Sequence, residues 1–133
     1  MKIGIPREIK DNEYRVGIVP SGVEELVSDG HEIMIQEGAG LGSGITDEDF
    51  VSGGAVILPD AGTVWGAADL VMKVKEPLVE EYDLLKDNQI LFTFLHLAPL
   101  PDLVDVLLDR GIRSVAYETI QLPDGSLPLL APM

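Results

Sequence analysis

The residues best able to do chemistry each stand just after a predicted strand. Arg15 lies in the loop after the first strand, and Lys75 lies just past the fourth. His96 ends the fifth strand and Glu118 ends the sixth. If the strands are parallel, all four side chains come to the carboxyl edge of one sheet, which is where open α/β sheets bind their ligands.

This set of groups suits a small carboxylate with a neighbouring carbonyl. The planar fork of Arg15 matches a carboxylate through two parallel hydrogen bonds. The ammonium of Lys75 can hold that carboxylate or polarise the carbonyl, which stabilises charge developing on oxygen. Histidine is the side chain that titrates nearest neutrality, so His96 is the candidate for the proton transfer that accompanies addition to the carbonyl.

Structural roles are open for the same residues. Arg15 can pair with Glu8 or Glu13 in its own loop. His96 can be a hydrogen-bonded structural histidine at the end of a buried strand, and His31, at the start of a strand beside a turn, is expected at the surface. The chemical role of Arg15 and His96 therefore depends on whether the topology gathers them with Lys75.

Two lysines close the fourth predicted strand, and they are not equivalent. Lys73 lies two residues further inside the strand than Lys75, which makes it the weaker candidate for ligand binding. As a structural alternative, Lys73 can pair with Glu76 or Asp69 at a solvated strand end. Lys75 is therefore the lysine that we assign to the site.

Short apolar runs alternate with helical patterns along the chain. The runs predict strands at Lys2–Ile5, Glu32–Gln36, Ala55–Leu58, Asp69–Val74, Gln89–Phe94 and Arg113–Tyr117. Helices are predicted from a capping box at Ser21–Glu24 to Gly30, from Thr46, from Asp60 and from Pro101 to Gly111, with a weaker helical segment at Val79–Leu85. In the helix from Pro101, the residues expected to face inward are Leu103, Val104, Leu107 and Leu108.

Strands separated by helices predict right-handed crossovers and an α/β fold. We expect an open, mainly parallel sheet with helices on both faces, a three-layer Rossmann-like or flavodoxin-like arrangement. Residues 1–120 are predicted to form this domain. Residues 121–133 hold three prolines around an Asp-Gly turn and predict an extended or hairpin-like arm, interpreted as a linker towards a further domain.

Composition excludes several classes of partner. The net charge of −14 argues against nucleic acid or an anionic membrane, because phosphate is repelled over most of the surface. The chain has no Cys, and its two histidines are far apart in sequence, so no metal site is predicted. With no signal peptide and no apolar run long enough to span a membrane, a cytoplasmic location is expected.

The glycine-rich segment Gly38–Gly44 does not have the spacing of a dinucleotide fingerprint. Its third glycine is out of position, and no helix pattern starts directly after it. A mobile loop or a subunit contact is the role expected for this segment. No cofactor-binding residue is therefore predicted within the chain.

Several blocks of the sequence resemble the N-terminal, substrate-binding domain of the alanine dehydrogenase and pyridine nucleotide transhydrogenase family. The blocks are Ile3–Glu8, Asn12–Val16, Pro20–Val23, Gly30–Glu32, Glu37–Gly40, Asp69–Pro77, Ile90–Ala98 and Ala116–Met133. They extend over essentially the whole chain. The blocks from Ile90 onwards are more similar to the alanine dehydrogenase branch.

This resemblance implies NAD-dependent interconversion of L-alanine with pyruvate and ammonia. It places Arg15 and Lys75 on the substrate carboxylate and carbonyl, His96 as the acid/base, and Glu118 and Met133 in the lining of the pocket. It also implies that NAD is bound mainly by a second domain outside this chain and that the full-length protein is a homo-oligomer. The fragment alone is then expected to be inactive.

Two other functions stay open at this point. One is the N-terminal domain of a transhydrogenase α subunit, against which His96 argues because that branch has no acid/base histidine. The other is a stand-alone, non-catalytic module that binds a small anion, since a fold alone does not settle function.

Overall fold

A computed structural model describes residues 1–133 and contains one six-stranded sheet. The strands are β1 (Lys2–Ile5), β2 (Glu32–Gln36), β3 (Val56–Leu58), β4 (Leu70–Met72), β5 (Ile90–Thr93) and β6 (Arg113–Ala116). Their order across the sheet is β3-β2-β1-β4-β5-β6, and every neighbouring pair is parallel. The predicted open parallel α/β fold is therefore confirmed.

Four α-helices connect the strands, and none of them is both long and apolar enough to cross a membrane. They are α1 (Pro20–Ser28), α2 (Asp47–Ser52), α3 (Ala61–Ala67) and α4 (Pro101–Asp109). Short 3₁₀ helices occupy Leu41–Ser43, Val79–Leu84 and Tyr117–Thr119. The segment predicted as a weaker helix at Val79–Leu85 is thus a 3₁₀ helix.

The alternation of side chains along the strands produces a separate core on each face of the sheet. Ile33 and Ile35 of β2 pack in one apolar cluster with Val23 of α1 and Phe50 of α2. The other face packs a second cluster, which includes Met34, Trp65, Val71, Leu91 and Leu103. Successive residues of a strand point to opposite faces, so each apolar strand serves both layers.

Two helix predictions need correction. The capping box at Ser21–Glu24 is wrong, because α1 begins at Pro20 and its N-cap residue Val19 makes no side-chain cap. Proline suits the first helical position because its φ is preset and it lacks the N–H that would be unpaired there. The N-termini of α2 and α3 are capped by the side chains of Thr46 and Asp60.

The inward face of α4 is narrower than predicted. Leu103 and Leu107 are buried and Val104 is half-buried, whereas 73% of Leu108 is exposed. At about 100° per residue, Leu108 lies a quarter turn beyond Leu107 and leaves the side that faces the sheet. A helix of this length buries only the narrow stripe formed by Leu103 and Leu107.

Residues 121–133 contain no helix or strand. The N–H of Leu122 donates to the carbonyl of Ser126 and the N–H of Gly125 donates to the carbonyl of Leu122, so a tight turn forms around Asp124–Gly125. The remaining residues of the segment are exposed or half-buried. The assignment of 121–133 as an arm or linker separate from a domain at 1–120 stays a prediction.

Candidate active site at the carboxyl edge of the sheet

The strand order reverses between β1 and β4, and ligands of open α/β sheets bind at such a point. A cavity of about 370 Å³ lies there, lined in part by Arg15, Gly17, Lys73, Phe94 and Tyr117. A β-carbon on Gly17 would stand 3.0 Å from the carbonyl oxygen of Met72, so glycine lets the loop after β1 approach the end of β4. We call this space the central cavity.

A second cavity of about 310 Å³ lies beside the central one, and Arg15 lines both. The Nε and Nη2 atoms of Arg15 donate to the two oxygens of Glu13 at 2.9 and 2.7 Å. One edge of the guanidinium is thus used, while the edge formed by Nη1 and the other Nη2 hydrogen is left for a ligand. The pairing of Arg15 with Glu13, one of the two partners considered for it, is present, and the arginine can still bind an anion.

The positive charges of Arg15 and Lys75 both act on the Glu13 carboxyl. The hydrogen bond from Arg15 lowers the pKa of the Glu13 carboxyl to about 2, and the positive charge of Lys75 contributes to the lowering. Two cations therefore act on one carboxylate. In a chain with a net charge of −14, this is a local concentration of positive charge suited to a small anion.

The backbone of Lys75 is held from both sides, by a side chain of the loop after β1 and by one of β5. Its N–H donates to Glu8 Oε1 at 3.0 Å, and its carbonyl accepts from the hydroxyl of Thr93 at 2.9 Å. Thr93 is fully buried. The ammonium of Lys75 makes no salt bridge, so its backbone is fixed while its charge stays available, although the side chain lines neither cavity.

Lys73 is one of three charged side chains buried together, and its predicted partners are wrong. Its Nζ lies 3.2 Å from Glu8 Oε1 and 3.4 Å from Glu81 Oε2, and 1% of its side chain is exposed. Glu76 instead pairs with Lys10, and Asp69 accepts the N–H of Lys2. The physical reason is the two-residue repeat of the strand, which puts Lys73 on the same side as the fully buried Val71.

We call Glu8, Lys73 and Glu81 the inner cluster. Glu8 accepts hydrogen bonds from the Lys73 ammonium and from the N–H groups of Val74 and Lys75, so it joins the segment after β1 to the segment after β4. Burial raises the pKa of the Glu81 carboxyl above its ordinary value, and the charge of Lys73 opposes that rise. Of the three residues, Lys73 lines the central cavity and Glu8 lines the cavity beside it.

His96 stands at the end of β5 in an exposed turn, and its side chain lines neither cavity. The N–H of Phe94, two residues earlier, donates to the carbonyl of Val74, so the end of β5 is bonded to the Lys73–Lys75 segment. The Glu118 carboxylate accepts the N–H of His96 at 2.9 Å. The structure thus brings the backbones of Lys75, His96 and Glu118 to one edge of the sheet.

Two further residues lie apart from this edge. Met133 is 69% exposed, and its N–H donates to the carbonyl of Leu130 in the last turn of the chain, so it lines neither cavity. His31 directly precedes β2 at the opposite edge of the sheet, half-buried beside the terminal amino group. The pocket role of Met133, like the roles of the other site residues, stays a prediction.

Tyr117 lines the central cavity, although sequence reasoning did not select it. Its hydroxyl donates to the carbonyl of Lys73 at 3.0 Å, and its ring packs edge-on against Phe92 and Phe94. Burial raises the pKa of the Tyr117 hydroxyl, so the group stays protonated and keeps its donor role. Its position next to Glu118 at the end of a strand was the available signal.

The chain's own residues do not fit a dinucleotide at the glycine-rich segment. The segment continues into the 3₁₀ helix Leu41–Ser43 and not into an α-helix whose N-terminus could face a phosphate. A β-carbon on Gly42 would stand 2.8 Å from the Tyr14 carbonyl oxygen, and Ser43 Oγ donates to that oxygen at 2.7 Å. The segment thus supports the loop that carries Arg15, where a mobile loop or subunit contact was predicted.

The comparisons with known proteins show the family of this chain. Residues 4–133 match the family model described as "Alanine dehydrogenase/PNT, N-terminal domain". The chain is 59% identical over 133 residues to an alanine dehydrogenase of Mycobacterium tuberculosis (strain CDC 1551 / Oshkosh) and 58% identical to one of Methanococcus maripaludis. It is covered completely in both matches but spans 36% of the length of these relatives.

Solved structures show the same fold. An L-alanine dehydrogenase matches with a TM-score of 0.96 and 49% identity, over 99% of this chain and 36% of that one. A transhydrogenase from Sinorhizobium meliloti matches with a TM-score of 0.83 over 89% of this chain and 34% of that one, and its 24% identity is evidence of the fold alone. The chain therefore belongs to the alanine dehydrogenase/PNT N-terminal domain family.

Proposed function

We propose that this chain is the substrate-binding part of an NAD-dependent alanine dehydrogenase, which interconverts L-alanine with pyruvate and ammonia. The observation that carries the proposal is the free edge of the Arg15 guanidinium at the central cavity, next to a Lys75 whose backbone is fixed and whose ammonium makes no salt bridge. The similarity to proteins named alanine dehydrogenase supplies the identity of the substrate.

In this proposal the free edge of Arg15 binds the carboxylate of pyruvate with two parallel hydrogen bonds. Lys75 donates to the carbonyl oxygen and stabilises the negative charge that develops there when ammonia adds. His96 gives or takes the proton that accompanies this addition. Glu118 and Met133, which the family resemblance assigns to the pocket, complete the proposed site.

The nicotinamide cofactor is proposed to bind outside this chain, because the glycine-rich segment is packed against the chain's own backbone. The isolated chain is then expected to bind substrate weakly and to have no turnover. We further propose that the full-length protein is a cytoplasmic homo-oligomer. A non-catalytic module that binds a small anion is the second candidate, since the Arg15 site alone would serve it.

Calorimetry with pyruvate tests the binding step on the chain itself. We expect binding that Lys75→Ala reduces by about tenfold, which corresponds to roughly 1.4 kcal/mol. The matched control is Lys86→Ala, an exposed lysine that precedes β5 at the opposite edge of the sheet. Equal affinity in the wild type and in Lys75→Ala would show that this lysine is misassigned.

Activity separates the enzyme from the module. A full-length protein carrying this chain should consume NADH when given pyruvate and ammonium, and the chain alone should not. Pyruvate binding without any turnover in the full-length protein would favour the non-catalytic module.

A further inference from the structure

The turn that carries His96 has a strained backbone. Its φ is +45°, in the left-handed region that side chains with a β-carbon rarely adopt. Only two other residues besides glycines have positive φ, Asn12 and Asn88, and asparagine tolerates this region better than histidine does. A conformation of this cost persists only where the surrounding structure fixes it.

The group that fixes this turn is the carboxylate of Glu118. Its Oε1 accepts the N–H of Leu95 at 3.0 Å and the N–H of His96 at 2.9 Å, and its Oε2 lies 3.3 Å from the Leu95 nitrogen. Two consecutive N–H groups that converge on one anion form a concave backbone site for negative charge. Two hydrogen bonds to a single oxygen therefore hold this backbone, and together they can offset the strain at His96.

The position of Glu118 explains how it reaches this turn. It lies in the 3₁₀ helix Tyr117–Thr119 directly after β6, the strand that pairs with β5. Tyr117 beside it is anchored to the carbonyl of Lys73 and to two phenylalanine rings. The carboxylate is therefore presented from a fixed backbone, and both of its oxygens face the β5 turn.

From this geometry we infer that Glu118 is a positioning residue for His96, holding the strained turn through backbone hydrogen bonds and not by contact with the substrate. The inference rests on the proposed function, in which His96 transfers the proton. It differs from the pocket-lining role that the family resemblance implies for Glu118. It also identifies which atom is needed, because Oε1 alone accepts from both N–H groups.

The two roles predict different results for glutamine at this position. Glu118→Gln keeps a carbonyl oxygen that can accept both N–H groups and gives up only the longer 3.3 Å contact of Oε2, whereas Glu118→Ala removes both oxygens. A positioning role requires the oxygen, so glutamine should rescue what alanine loses. A role that depends on the charge of Glu118 at the substrate would be lost equally in both variants.

Amide hydrogen exchange on this chain tests the two hydrogen bonds from Leu95 and His96 to Glu118 independently of activity. We expect the Leu95 and His96 amides to lose about tenfold or more of their protection in Glu118→Ala and to keep most of it in Glu118→Gln. Glu80→Ala and Glu80→Gln are the matched controls, because Glu80 is exposed in a 3₁₀ helix and makes no side-chain hydrogen bond or ion pair. Unchanged protection in Glu118→Ala would overturn the inference.

Kinetics in a full-length protein carrying this chain test the consequence. We expect Glu118→Ala to lower kcat by about 10²-fold, as misplaced catalytic groups do, with the KM for pyruvate changed little, while Glu118→Gln stays within about threefold of wild type. Equal loss of kcat in both variants would overturn the inference. So would a normal kcat in Glu118→Ala when His96→Ala is inactive, whereas an active His96→Ala would instead show that the proposed role of His96 is wrong.

Discussion

Lys73 and Lys75 are two residues apart, yet the structure uses their charges in opposite ways. The Lys73 ammonium is 1% exposed and lies between two carboxylates of the inner cluster. The Lys75 ammonium makes no salt bridge, while its N–H and carbonyl are held by Glu8 and Thr93. The difference indicates that the buried charges fix the backbone, which leaves the neighbouring charge free for a ligand.

The same division applies across the carboxyl edge of the sheet. Glu8 and Glu118 are carboxylates whose hydrogen bonds go largely to backbone N–H groups, and each fixes the residue proposed to do chemistry. Arg15 and His96, on the exposed side, have side chains with free hydrogen-bonding capacity. A functional site held in this way keeps its geometry because the supporting groups are themselves fixed.

The sharpest test of this comparison is to replace each lysine by methionine. Lys73→Met leaves Glu8 and Glu81 buried without their cation, and removal of one partner of a buried ion pair costs about 3–5 kcal/mol. Lys75→Met removes no salt bridge, so its free energy of unfolding should fall by less than about 1 kcal/mol. Urea unfolding followed by the fluorescence of Trp65, the one tryptophan and a fully buried one, measures both.

Lys73→Met should have the larger effect on stability, and Lys75→Met should have the larger effect on the affinity of the folded chain for pyruvate. Lys75→Met should bind pyruvate more weakly than wild type while unfolding at nearly the same urea concentration. Equal destabilisation by the two substitutions would contradict the assignment of a structural role to Lys73 and a ligand role to Lys75.

A second test compares Glu8 and Glu81, the two carboxylates of the inner cluster, because they differ in their hydrogen bonds. Glu8 accepts from two N–H groups and an ammonium, so Glu8→Gln would place an NH₂ group against a donor and should cost about 1–3 kcal/mol. Glu81→Gln should be neutral or stabilising at pH 7, since burial is the main cause of its raised pKa. The amide oxygen of glutamine can still accept the N–H of Leu78, as Glu81 does now.

The sign of the pH dependence follows from the direction of the Glu81 shift. Its pKa in the folded chain lies above the ordinary value of 4.5, so the folded state binds this proton more tightly than the unfolded state does. The penalty for its ionisation is absent at low pH and grows as the pH rises through the folded pKa. Glu81→Gln should therefore gain stability relative to wild type as the pH is raised from about 4 to 7 in urea unfolding, and a relative loss would contradict this account.

The fold was largely predictable from the sequence, because its signals are local. The strands around Ile33 and Leu91 are short apolar runs bounded by turns, and alternation with helices requires a parallel sheet. The first residues of the helices were harder to predict. Ser21 and Glu24 have the spacing of a capping box, but the helix already begins at Pro20, before Ser21. The order of strands across the sheet carries no local signal, since all the strands are similarly apolar.

The sheet edge that the candidate residues share was predictable from the sequence, and their contacts were not. Parallel topology alone brings the segments of Arg15, Lys75 and His96 to one edge. The bond between Lys73 and Glu8 joins residues 65 positions apart, and no pattern in the sequence indicates which acid a buried lysine selects. The positive φ of His96 is set by Glu118 from another strand, so it too depends on tertiary structure.

The smallest effect on the free energy of unfolding is expected for the exposed Arg15–Glu13 ion pair. The Arg15 side chain is 53% exposed, so this pair should add about 0.2–1 kcal/mol to stability at pH 7, and Glu13→Gln should remove it. The pKa of Glu13 falls from 4.5 to about 2 on folding, so the contribution is complete above pH 4.5 and is lost as the pH falls towards 2. The stability difference between wild type and Glu13→Gln should therefore shrink across that interval in urea unfolding. A difference that stays constant from pH 5 to pH 2 would mean that the pair does not stabilise the fold, and that the loop backbone alone holds Arg15 in place.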